Sequence, residues 1–98
     1  MATSKIQNYT IFDEVVCTTP TWDKSGELTQ EWSINFPTPY TKTPKIVIPR
    51  VDGEWGVNAL VTAIRSIKSD SFVLRITARD SNTRNNYNIS GLKVFVYK

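Results

Sequence analysis

The sequence predicts an all-β domain, a six-stranded antiparallel β-sandwich, and three observations carry that prediction. Apolar and polar residues alternate at period two in several segments, as strands with one buried face require. The segments are short and are punctuated by clusters of Gly, Pro, Asp, Asn and Ser, which turn the chain. A hydrophobic content of 40% with three Trp, four Tyr and four Phe is enough for a core and argues against disorder. At 98 residues the chain reads as a single domain, 1–98, with an N-terminal strand and loop over 1–27 ahead of the main body at 28–98.

Each element follows from its local pattern. YTIFDEVV, residues 9–16, supplies the first strand, and TTPTWDKSGE after Cys17 is a loop. LTQEWSINF, residues 28–36, sets Leu28, Trp32, Ile34 and Phe36 against Thr29, Glu31, Ser33 and Asn35, a half-buried strand in which Trp32 belongs to the core. PKIVIPRV, residues 44–51, is β-branched but contains Pro49, which cannot donate to a ladder and so points to an edge strand or a bulge. NALVTAIRSI, residues 58–67, follows the turn signal DGEWG. There a helix competes, because Ala59, Leu60, Ala63, Ile64 and Ile67 also fit a 3.6-residue spacing, but the density of β-branched residues favours a strand. Beyond the turn SDSF, the alternation of Phe72, Leu74, Ile76 and Ala78 with Val73, Arg75, Thr77 and Arg79 makes another amphipathic strand. GLKVFVYK closes the chain with Leu92, Val94 and Val96 on one face and Lys93, Phe95 and Tyr97 on the other. Two aromatics on the face away from the core call for cover by another subunit.

Composition excludes several function classes. The formal charge of +3 comes from 12 basic and 9 acidic residues scattered without runs, so no phosphate-tracking stripe exists and nucleic acid is not an expected partner. No stretch is long enough for a membrane span, and membrane insertion is not expected. The start MATSKIQNYT lacks a long apolar signal core, so cytoplasmic synthesis without a cleaved leader is expected, with non-classical export or a place in a virion as the outward routes. Asn8 and Asn88 match the glycosylation acceptor pattern and, without such a leader, are read as chance. A single cysteine forbids an internal disulfide, and the absence of histidine removes the usual zinc sites and any Cys–His nucleophile. No serine sits in a GxSxG elbow and the carboxylates lie apart, so the expectation is a non-enzyme without a cofactor.

The stretch ARDSNTRNNYNISG, residues 78–91, is the candidate site. Arg79, Asp80, Asn82, Arg84, Asn86, Tyr87 and Asn88 put guanidinium, carboxylate, amide and aromatic groups on one loop, the inventory that binds sugar hydroxyls and packs on a ring's C–H face. Calcium held by oxygens of Asp80, Asn82 and Asn86 is a further reading, although the spacing fits no defined ion-binding loop. Against both stands the plain alternative that such residues are what a long solvated turn contains, bonded to their own backbone. Trp55, within DGEWG, either stacks on a ligand or packs against a neighbouring subunit, and Trp22 beside Asp23 is similar.

A family resemblance bears on the choice. The pattern Phe36-x-x-Pro39-Tyr40-x-x-x-Pro44 before an apolar strand, NALVTAIRSIKSDSFVLRITA with its strand, turn and Phe72-led strand, and the closing GLKVFVYK together resemble the H-type lectin domain of snail agglutinins and related slime-mould and coral lectins. The similarity covers residues 28–98. It implies a six-stranded antiparallel sandwich assembled into trimers, with galactose- or N-acetylgalactosamine-type sugars bound in shallow sites between protomers. The family's site uses an aspartate ahead of the first matched strand, near Asp23 here. It uses an arginine around the strand after the Pro-led one, where Ala59 stands and Arg65 is the nearest arginine. Its third element, an aromatic followed by histidine after the Phe72-led strand, is Arg79-Asp80 in this chain. The expected function is therefore a multivalent glycan-binding homotrimer, whose linked weak sites raise avidity by about 10² to 10⁴. The alternative is a trimeric structural or receptor-binding module of a larger assembly, such as a viral or phage fibre, without a working sugar site.

Overall fold

The computed structural model describes residues 12–54 and 59–98. The period-two segments form β1 (Asp13–Cys17), β2 (Thr29–Asn35), β3 (Ile46–Gly53), β4 (Leu60–Arg65), β5 (Ser71–Ala78) and β6 (Ile89–Tyr97), with the helix α1 (Ser81–Asn86) between the last two. Among the described residues all four pairings are antiparallel, and they build two three-stranded sheets ordered β1-β6-β3 and β2-β5-β4. Tyr9 to Ile11 of the expected first strand, Trp55 and Asn58 lie outside the described residues.

The two central strands hold most of the core. In β5, Phe72, Leu74, Ile76 and Ala78 are at most 2% exposed, and in β6 the same holds for Leu92, Val94 and Val96. Burying a Val, Leu, Ile or Phe contributes about 1.5–3 kcal/mol, so these residues decide which face of each sheet turns inward. A one-residue slip would expose them all. Both sheets feed a single cluster, joined by Cys17, Ile34, Phe36 and Val47, with Trp32 and Ile64 partly buried against it. Leu28, expected on the apolar face, precedes β2 and remains 37% exposed.

The segment that competed between helix and strand is the strand β4, paired from Leu60↔Ala78 to Arg65↔Val73. Pairing with β5 satisfies its backbone and leaves Val61 outward, 69% exposed. Pro49 lies in β3, an edge strand, as its missing N–H requires. The register shift in that strand falls later, between Asp52 and Gly53.

FPTPYTKTP carries the chain from one sheet to the other. Phe36 packs on Phe72 (centroids 5.3 Å) and on Tyr40 (5.1 Å), burying one end of the crossing. Three backbone donors hold the rest: Phe36 N to Asp70 O (2.9 Å), Tyr40 N to Ser69 O (2.8 Å) and Lys45 N to Tyr97 O (2.9 Å).

The outer faces of the two sheets differ in chemistry. On the β1-β6-β3 sheet, Phe95 and Tyr97 point away from the core, opposite Ile48 and Ile46 of β3, with Val16 of β1 alongside. Val16 is 68% exposed, Ile46 52% and Ile48 45%, while Phe12 packs edge-on against Phe95 at 5.3 Å. The result is an apolar strip of Ile46, Ile48, Phe95 and Tyr97, divided from Val16 by the Glu14–Lys93 ion pair (3.0 Å) and bordered by Arg50–Asp52 (3.6 Å). The β2-β5-β4 sheet is largely polar outside, apart from the exposed Val61. There Glu31 Oε2 accepts from both Arg65 Nη1 (3.2 Å) and Arg75 Nε (3.1 Å), and the Thr29 and Thr77 hydroxyls meet at 2.9 Å.

Candidate functional site

The polar stretch after β5 is a capped helix rather than one long solvated turn. Asp80 at φ −155°, ψ 174° is the N-cap: its Oδ1 accepts from Thr83 N (2.8 Å) and from Thr83 Oγ1 (2.9 Å). This satisfies an otherwise orphaned first-turn donor and fixes where α1 begins. The helix stops at Tyr87, whose N–H donates to Thr83 O at 3.0 Å. The Thr83 contacts hold the Asp80 carboxyl below the ordinary aspartate value, with Arg79 adding to the effect.

This helix gathers other segments at one end of the β2-β5-β4 sheet, where β2 and β4 begin and β5 ends. Ala78 N donates to Leu28 O (2.8 Å) and Arg79 N to Ala59 O (2.9 Å). Arg84 Nη1 donates to Gly26 O (3.0 Å), and its Nε and Nη2 both reach Asn85 Oδ1 (3.1 and 3.0 Å). Asp23 stands in the same loop, its Oδ1 accepting from Ser25 N and Ser25 Oγ at 3.0 Å each. Those bonds, backbone first, lower its carboxyl pKa, with Arg84 contributing. Gln30 closes the turn from β2, donating to the carbonyls of Asp23 and Glu27 at 2.8 Å each.

The sequence-derived candidates therefore divide. Asp23, Arg79, Asp80, Asn82, Arg84 and Asn86 come together on this rim. Arg79 is open to solvent, with a side chain 72% exposed, Nε on Asp80 Oδ2 at 3.3 Å, and Nη groups that meet no acceptor among the described residues. Asn82 and Asn86 are exposed and linked, Asn86 Nδ2 donating to Asn82 O (2.8 Å) and Oδ1 (3.2 Å). Arg65 stands elsewhere, at the far end of β4 and held by Glu31. Trp55 lies outside the described residues.

Tyr87 requires a correction. It is 1% exposed, edge-on to Trp22 at 5.5 Å, and so close to Gly53 that a Cβ there would collide with the ring. Burial pushes its hydroxyl pKa up to about 12. Tyr87 is a core residue of this chain and offers no face to a sugar. Trp22, grouped with Trp55 by sequence, is likewise buried at 5%.

Sequence reasoning missed the residues that build the rim: Thr83, 2% exposed, as the partner of the cap, Asn85 as the acceptor for Arg84, and Gln30 as the clasp of the 23–27 loop. An Asp opening a run of helix-compatible polar residues was the available signal for α1. The calcium reading loses support, since Asp80 Oδ1 accepts from Thr83 and Asn82 Oδ1 from Asn86. Among the described residues no group of three or more His, Cys, Asp or Glu gathers to hold a metal.

In comparisons with known proteins, the chain matches no family model, no curated protein and no solved structure.

Proposed function

We propose that the chain is a carbohydrate-binding module of H-type lectin kind, a six-stranded sandwich that works as a homotrimer and reads neutral glycans at the α1 rim. One observation carries this reading. The three places to which the resemblance points, the loop of Asp23, the start of β4 at Ala59 and the Arg79-Asp80 exit of β5, lie at one end of one sheet and are bonded together through Arg79 N–Ala59 O and Arg84–Gly26 O. The rim offers a guanidinium with open Nη groups beside a carboxylate and two amides, donors and acceptors in the fixed planes that pair with vicinal hydroxyls. The apolar strip of Ile46, Ile48, Phe95 and Tyr97 is the surface for trimer assembly, because exposed contiguous apolar faces mark interaction sites.

The test is calorimetric titration with galactose and N-acetylgalactosamine, on the wild type and on Arg79→Ala. Saturable binding lost in the variant supports the reading, and no response to either sugar counts against it. A second reading, a trimeric structural or receptor-binding module without a sugar site, is favoured by the number of rim groups bonded to one another: Asp80 to Thr83, Arg84 to Gly26 and Asn85, Asn86 to Asn82. A sedimenting trimer that ignores sugars would support it.

A further inference from the structure

Away from the rim, an open groove of about 650 Å³ runs along β1, between that edge strand and the crossing segment 37–40, with Phe12, Asp13, Glu14, Thr38, Pro39 and Tyr40 among its lining. Its volume falls in the range of small-ligand sites, about 300–1,000 Å³. The Tyr40 wall is fixed at three points: its ring edge-on to Phe36, its N–H on Ser69 O, and its hydroxyl donating to Asp13 Oδ2 at 3.0 Å. On the other side Phe12 is held by Phe95 and Tyr97, with centroids at 5.3 and 5.4 Å.

The charges of the groove select among ligands. Asp13 Oδ1 lies 3.5 Å from Lys98 Nζ, and Glu14 Oε1 lies 3.0 Å from Lys93 Nζ. Each carboxylate thus has its own cation, so a cationic ligand would have to displace a lysine and an anionic one a carboxylate. A neutral polyhydroxyl ring would not. Its hydroxyls can donate to the lone pairs left on Asp13 and exchange bonds with the Thr38 hydroxyl, while its C–H face packs on the Tyr40 ring. An extended peptide adding to β1 is disfavoured, since an inward-pointing charge such as Asp13 on an edge strand works against strand addition.

We propose that this groove is a second saccharide subsite, taking an uncharged pyranose against Tyr40 with its hydroxyls on Asp13 and Thr38. It rests on the carbohydrate reading above, and gives each protomer two places to hold one branched or extended glycan.

Amide-resolved NMR on the full chain tests it, with methyl galactoside and methyl glucoside added to about 50 mM, beyond the millimolar range of single weak sites. Saturable shifts at residues 13–16 and 38–40 are expected. They should persist in Arg79→Ala, and Asp13→Asn, which keeps an acceptor for the Tyr40 hydroxyl, should weaken the response about tenfold, as loss of a hydrogen bond to a charged group does. Shifts confined to residues 23–26 and 79–86 would overturn the subsite and leave the rim reading standing. No shift anywhere would overturn both. Shifts along β1 from a capped extended pentapeptide, with none from the sugars, would overturn the subsite in favour of strand addition.

Discussion

Trp22, in the loop after β1, donates its indole Nε1–H to the carbonyl of Arg84 in α1, 2.9 Å away in space and 62 residues on in sequence. The ring is buried and lies between Trp32 (6.0 Å) and Tyr87 (5.5 Å). The bond ties the loop of Asp23 to the helix that carries the rest of the rim. Replacing Trp22 by Phe removes the bond and part of the ring, and should destabilise the chain by about 1–3 kcal/mol in a denaturant titration. An unchanged midpoint would mean that the loop and α1 are independent.

Gly53 and Tyr87 form a second such constraint. A Cβ at Gly53 would collide with Tyr87 Cε1 and stand 2.8 Å from its Cζ and Oη. Gly53→Ala should therefore cost about 1–3 kcal/mol, as overpacking does. Tyr87→Ala should also destabilise, by opening a cavity, and the double variant should be less unstable than the sum of the two. Strict additivity in thermal melts would refute the contact.

Faces and strands were legible in the sequence because period two is a local signal: the inward residues of β5 and β6 and the outward Phe95 and Tyr97 followed from it directly. The polar stretch after β5 was legible only as a place. Its side chains suited a turn and a cap equally, and what separates the two is Thr83 closing on Asp80. Tyr87 and Trp22 were misjudged for another reason. Both sit among polar neighbours in sequence, and contacts across the fold, with each other and with Gly53, bury them. Likewise nothing local tells that Arg65 is held by Glu31 across two strands.

Acid should loosen α1 before the core. The carboxyls of Asp80 and Asp23 lie below the ordinary value of 3.8, so the folded chain binds these protons less readily than the unfolded chain. Their contribution is present above that value and is lost as pH falls through the lowered folded ones. Protection of the Thr83 amide, relative to its intrinsic exchange rate, should fall below about pH 3.8 while that of Leu74 and Val94 holds. In Asp80→Asn the acid dependence should shrink, and an identical profile would exclude the cap as its source.

The apolar strip makes a claim about assembly. Ile48→Lys places a charge at its centre, opposite Phe95, without touching the buried cluster. Sedimentation should show a trimer for the wild type and a folded monomer for the variant. A monomeric wild type would remove the assembly surface, and a trimeric variant would move it elsewhere.

Sugar recognition by the α1 rim is best tested on a glycan array probed at several protein concentrations, since ligand class and multivalency are reported together. The expected result is concentration-dependent binding to a set of neutral glycans, abolished by Arg79→Ala and retained by Arg65→Ala, whose guanidinium sits on Glu31 at the other end of β4. Binding to no glycan at any concentration, or binding indifferent to Arg79, would contradict it.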